Sequence, residues 1–189
     1  SRPTASATSV GFGDSVKPCS EPDVMPWSNI TAVDSDFSGD VTAMGRCESL
    51  GAGWSLCTEA QWYEACADGS FPAFDGDEFP YGDGYEPNSC NGYDYGAANG
   101  GVGPRATGSL LLCDRIWGAD AVYDMSGNLK EWVWTGSGYR LYGGAYNNVS
   151  ESGSAPGLQC DAYSDVASDQ EVHLPSVGFR CCYSGDFLN

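Results

Sequence analysis

The sequence predicts an irregular, loop-rich α+β domain held by disulfides. Three features point to this. Glycine supplies 26 of 189 residues, which suits a fold whose many turns need permissive backbone. Aromatic residues reach 13%, enough to fill an irregular core with large rings and too many for a disordered chain. Nine cysteines (Cys19, Cys47, Cys57, Cys66, Cys90, Cys113, Cys160, Cys181 and Cys182) are spread along the chain with no C-x-x-C pair. Zinc sites need clustered Cys and His, and His173 is the single histidine. The thiols therefore read as disulfides made outside the reducing cytosol. The odd count leaves one cysteine unpaired or linked to another chain.

The length favours one domain, able to bury about 70% of the surface of its unfolded chain. Residues 1–18 are rich in Ser, Thr and Ala and read as an extended N-terminal arm; 19–189 read as a single domain. A first helix is expected between Asp34 and Gly51, where Phe37, Val41, Met44, Cys47 and Leu50 recur at helical spacing and Gly51 supplies a stop. A second follows Thr58, which forms a capping box with Gln61; Gly69 ends it. From there to about Thr107 the chain reads as loop, with Cys90 as a tie. Short strands rich in Val, Tyr and Trp are expected at Ala121–Tyr123, Lys130–Trp134, Tyr139–Tyr142 and Val177–Cys182. Between the last two, Gly143 to Pro175 is loop-like, and no solenoid repeat appears.

The net charge of −18 repels nucleic acid and anionic membrane, so neither is expected as a partner. It also leaves open carboxylates that hold Ca²⁺, beside the simpler reading of a solvated acidic surface. No apolar run is long enough to span a membrane, and no signal peptide is visible. Asn29 and Asn148 open N-glycosylation sequons. Asp75-Gly76-Asp77 begins like a Ca²⁺ loop but departs from the EF-hand pattern beyond that.

Five motifs, in order, resemble the formylglycine-generating-enzyme (sulfatase-modifying factor) family. Leu56-Cys57-Thr58-Glu59-Ala60-Gln61-Trp62 is similar to that family's T-E-A-x-W helix start, and Phe79-Pro80-Tyr81-Gly82 to its Y-P-W-G. The stretch from Val122-Tyr123-Asp124-Met125 through Gly127-Asn128 to Glu131-Trp132 resembles L-Y-D-M-x-G-N-V-W-E-W. Gly143-Gly144-Ala145-Tyr146-Asn147-Asn148 looks like R-G-G-S-W-N-N, and Gly178-Phe179-Arg180-Cys181 closes the domain as the family does. The resemblance covers residues 40 to 183 and implies an irregular α+β fold distantly like C-type lectins.

The resemblance also implies site residues. A structural Ca²⁺ is expected on the side chains of Asp124 and Glu131 and the backbone carbonyls of Gly127 and Leu129; the alternative is a capped turn with two solvated acids. The loop around Asn88 to Asn99 resembles the region of a second Ca²⁺ site, without residue-level alignment. Family pairing implies Cys47–Cys181 and Cys66–Cys160, while Cys90–Cys113 would tie the long loop. Cys19, Cys57 and Cys182 then share one further bond, with one left over. The family's two oxidase cysteines fall on Tyr146 and Glu151, and the arginine before its paired glycines on Tyr142. Neither Tyr146 nor Glu151 replaces a soft thiolate ligand. Oxidase activity is therefore not expected, and one histidine does not supply the sites of the family's iron-dependent cousins.

By analogy Tyr139, Tyr142, Tyr146, Asn147 and Asn148 would line the family's substrate pocket, a set suited to a glycan, peptide or surface ligand; otherwise the tyrosines pack the core. The expected function is a secreted or cell-surface, non-catalytic, Ca²⁺-stabilised binding domain. The alternatives are a structural subunit of an extracellular assembly, joined through the arm or the odd cysteine as a homo-oligomer, and a hydrolase built on a carboxylate pair.

Overall fold

The computed structural model describes residues 43–117, 120–150, 154–165 and 176–184. The arm at 1–18, Cys19, Asn29, Glu151 and His173 lie outside these residues.

Three short α-helices and eight short strands are present among the described residues: α1 Ala43–Glu48, β1 Trp54–Leu56, α2 Glu59–Ala67, α3 Tyr93–Ala98, β2 Asp114–Trp117, β3 Asp120–Tyr123, β4 Lys130–Trp134, β5 Tyr139–Tyr142, β6 Tyr163–Asp165, β7 Val177–Phe179 and β8 Cys181–Tyr183. The main sheet has the order β6-β5-β4-β7; β1 pairs with β8 and β2 with β3. The β4–β5 hairpin turns through Thr135-Gly136-Ser137-Gly138, with Gly136 at φ +89° and the Thr135 amide donating to the Gly138 carbonyl at 3.0 Å. β7 lies parallel to β4 on the other side.

Strand alternation sorts the core into two clusters. Val133 and Tyr142 face one, with Trp62, Tyr63, Val122 and Met125 around Cys66–Cys160 and Cys57–Cys182. Trp132 and Leu141 face the other, with Ala43, Leu56, Val177 and Phe179 around Cys47–Cys181. Cys90–Cys113 is the fourth disulfide among the described residues, and the one bond left open among Cys19, Cys57 and Cys182 is Cys57–Cys182. In the chain-entropy picture, closing a loop of about a hundred residues contributes up to ~4.7 kcal/mol.

α2 starts as its sequence dictates: Thr58 Oγ1 accepts from the Gln61 amide, and Gln61 Oε1 accepts from the Thr58 amide at 3.0 Å. Its left-handed cap is Asp68, one residue before the expected glycine. The expected helix to Gly51 stops at Glu48; tight turns carry the chain to Gly51, at φ +124°. The strand expected at Val177–Cys182 is divided at Arg180, because β7 pairs with β4 and the chain then crosses to β1. The expected loop up to Thr107 contains α3, whose N-cap Gly92 packs against Leu158: a Cβ there would lie 2.7 Å from Leu158 Cδ1, so that side chain would have to shift.

Candidate functional site

The residues of the fourth motif form a loop fixed from below. Gly143 and Gly144 have φ of +79° and +65°. A Cβ on Gly143 would lie 2.4 Å from the Met125 carbonyl oxygen, and one on Gly144 2.2 Å from that of Gly157. Both positions therefore need glycine for conformation and for space. The next four residues close a turn, with the Asn148 amide donating to the Ala145 carbonyl and the Ala145 amide to Asn148 Oδ1, each at 2.9 Å. The Tyr146 amide donates to the Asn128 carbonyl at 3.0 Å, and the Tyr93 amide to the Asn148 carbonyl at 3.1 Å.

Beneath the loop is a buried amide network. Asn128 Oδ1 accepts from Asn91 Nδ2 at 3.0 Å and from the Arg105 amide at 2.9 Å, while Asn128 Nδ2 donates to the Arg105 carbonyl. The guanidinium of Arg105 lies 4.9 Å from the centre of the Tyr95 ring. This network ties the 91–105 segment and the Asp124–Glu131 turn to the floor of the loop. Sequence reading missed it, although the Gly-Asn pair at 127–128 was its signal.

The five expected ligand residues do not converge. Tyr146 is half-buried and Asn147 exposed, both at the loop surface. Asn148 spends its amide oxygen inside the turn. Tyr142 lines no surface: it is 0% exposed, its ring packs on Trp62 and its hydroxyl donates to Glu59 Oε1 at 2.9 Å. Burial, and then that bond, raise its pKa above the ordinary tyrosine value. Tyr139 sits at the other end of β5, packed against Trp132 and Trp134. Strand alternation explains the split, since Tyr139 and Tyr142 are three residues apart and face opposite sides.

The expected Ca²⁺ residues share one buried turn. Residues Asp124, Gly127 and Asn128 are left-handed, with φ of 58°, 73° and 60°. Asp124 Oδ2 accepts from the Gly108 amide at 2.8 Å. Glu131 accepts from Arg180 Nε and from Arg180 Nη2 at 2.6 Å, and its Oε2 also accepts from Trp62 Nε1 at 2.8 Å. Burial pushes the Asp124 carboxyl up to about 6; the Gly108 amide and Arg180 pull it down, and Glu131 raises it. Ca²⁺ takes free oxygen ligands. Both Glu131 oxygens are engaged by a guanidinium, so in this arrangement Glu131 does not fit a Ca²⁺ ligand unless Arg180 withdraws. Both carboxylates are under a tenth exposed. Among the described residues no group of three or more His, Cys, Asp or Glu is placed to hold a metal ion.

A second charged cluster joins the sheet to α2. Arg140 donates to Glu59 at 2.6 Å and to Asp165 at 2.8 Å, and its guanidinium lies 4.1 Å from the Tyr163 ring centre. It fastens the edge strand β6.

Fold and site define a disulfide-stapled α+β domain whose paired glycines, Gly143 and Gly144, shape one surface loop. The sulfatase-modifying factor enzyme 1-like domain model matches residues 22–184, and the chain belongs to that family. No curated protein matches the chain. Among solved structures it is similar to Treponema denticola variable protein 1, with 21% identity, a TM-score of 0.47, and coverage of 69% of this chain and 47% of that one. It is also similar to CarF in its crystal structure, with 22% identity, a TM-score of 0.39, and coverage of 73% of this chain and 50% of that one. The chain thus spans about half the length of these structures.

Proposed function

We propose that this chain is a non-catalytic, extracellular ligand-binding domain whose recognition surface is the 143–150 loop. The observation that carries this reading is Tyr146. It stands where the resemblance implies a catalytic thiol in the family's enzymes, on a loop whose backbone is anchored from three sides. All eight cysteines among the described residues are in disulfides and at most 5% exposed, so none of them offers a thiolate. The four disulfides fit an extracellular protein. No helix among the described residues is long and apolar enough to cross a membrane.

The test is binding to arrayed glycans and peptides by the wild type and Tyr146→Ala, with melting curves to show that both are folded. Binding weakened by the substitution at an unchanged melting temperature supports the reading. Binding that ignores it, or no binding to either array, removes the loop from the function.

A second reading, assembly with further copies, is favoured by the β2–β3 hairpin. Leu111, Leu112 and Ile116 are 70%, 66% and 70% exposed, while Arg115 turns inward to the Cys66 carbonyl and Asp77. Three apolar side chains this open within six residues of sequence are candidates for an interaction surface. Light scattering over a concentration series decides it. Oligomers lost in Leu111→Ser/Leu112→Ser support assembly, and a wild-type monomer throughout sinks it.

A further inference from the structure

The 143–150 loop does not stand alone on its surface. The Tyr93 amide is bonded to the Asn148 carbonyl at 3.1 Å, so the start of α3 lies directly against the loop. Tyr93 is 41% exposed and Val149 60% exposed, and Asn147 is exposed between Tyr146 and the anchored Asn148. Beyond the end of α3 lies a further open apolar side chain, that of Val102. Gly96 packs so closely on the following turn that a Cβ there would lie 2.8 Å from Val102 Cα, and Val102 is 41% exposed.

Two stretches of this face carry no charge on a strongly acidic chain. Residues 95–104 and 141–150 contain no Asp, Glu, Lys or Arg, although the net charge is −18. Of the charges flanking these stretches, Asp94, Arg105 and Arg140 are turned to partners within the protein, and Glu151 lies outside the described residues. Asp94 accepts from the Tyr85 hydroxyl at 2.9 Å, and Arg105 lies over Tyr95 and donates to the Asn99 carbonyl at 3.0 Å.

We propose that Tyr93 and the 143–150 loop form one binding surface for a neutral saccharide. This rests on the reading above that the loop binds a ligand, and adds the ligand class and a residue outside the loop. The chemistry of the face selects the class. An open aromatic ring gives a flat apolar platform for the C–H face of a pyranose. The neighbouring Asn147 amide offers a donor and an acceptor for ring hydroxyls. Among the described residues, the cations flanking these stretches, Arg105 and Arg140, are turned to partners within the protein, and the charge of the whole molecule repels acidic glycans.

The test is native affinity electrophoresis of the full chain through gels containing galactomannan, xyloglucan or mixed-linkage β-glucan. Heparin and a polysialylated glycan serve as acidic arms. Retardation by a neutral polymer is expected, with affinity falling about tenfold in Tyr93→Ala and returning in Tyr93→Trp. Because the ring is open, the melting temperature of Tyr93→Ala should match the wild type. Retardation confined to acidic polymers, equal retardation of Tyr93→Ala, or none by any neutral polymer overturns the inference. If the arrays show a peptide ligand sensitive to Tyr146→Ala while the neutral polymers fail, the saccharide is wrong and the binding reading stands. If neither binds, both fall.

Discussion

Removing the Glu131 charge should be among the most destabilising single changes in this domain. Arg180 and Glu131 have side chains 8% and 10% exposed, and the carboxylate accepts from Arg180 Nε, Arg180 Nη2 and Trp62 Nε1. Glu131→Gln leaves a buried guanidinium with the Tyr123 carbonyl at 3.2 Å and the nearby Asp124 carboxyl. Breaking a buried pair by neutralising one partner costs about 3–5 kcal/mol. For a chain of this size that lowers the melting temperature by about 6–20 °C. Asp124 modifies the result. Its carboxyl titrates at about 6, so above that pH it is a second anion near Arg180. The loss should therefore be larger at pH 5 than at pH 8. The assay is urea denaturation with disulfides intact, on Glu131→Gln, Arg180→Met and the double variant. The double variant should be less destabilised than the sum of the singles, by about 2 kcal/mol or more. Single losses below about 1 kcal/mol, or additive losses, would refute the buried pair as the clamp between β4 and the end of β7.

The other predictions concern the same turn and the loop above it. Gly144→Ala should lower stability by several kcal/mol, because the left-handed backbone costs about 1–2 kcal/mol and the methyl meets the Gly157 carbonyl; an unchanged melt would show that the loop yields. Asp124→Asn should gain on the wild type as pH rises. The folded carboxyl titrates at about 6 against 3.8 unfolded, so the folded state holds a proton that the unfolded state releases in that window. Stability from this group is greatest below 3.8 and falls as pH rises through about 6, by up to ~3 kcal/mol; melting curves of the two proteins that run parallel from pH 4 to 7 would contradict it. Chelator should leave the wild-type melting temperature unchanged while Arg180 holds Glu131. A fall in chelator, reversed by Ca²⁺, would instead establish the cation that the family resemblance implies.

What the sequence disclosed follows the range of the forces involved. The α2 start was legible because Thr58 and Gln61 satisfy each other across three residues. β4 and β5 were legible because they are rich in Val, Tyr and Trp and bounded by Gly and Ser. α3 was not: Tyr93-Asp94-Tyr95-Gly96-Ala97-Ala98 has no side-chain cap and a glycine in its middle. It forms because Gly92 seats against Leu158 and the Asn148 carbonyl receives the Tyr93 amide, contacts made by residues more than fifty positions away. β1 and β6 are three residues each, too short for a period. The Asp124–Glu131 turn was located correctly, yet its electrostatics depend on Arg180, which arrives from 49 residues further along. An arginine inside the apolar run Val177 to Cys182 was the available sign of a buried acidic partner. For Tyr142 the sequence leaves pocket lining and core packing both open, because motif position says nothing about which side of a strand faces inward; Glu59, across the fold, fixes that.

The most direct test of the central claim, that Tyr146 marks a recognition loop and not a catalytic one, is oxygen uptake by the purified chain supplied with Cu(I), reductant and a cysteine-containing peptide. The account predicts uptake no faster than the same mixture without protein. Peptide-dependent uptake above that blank, lost when the copper is chelated, would contradict it.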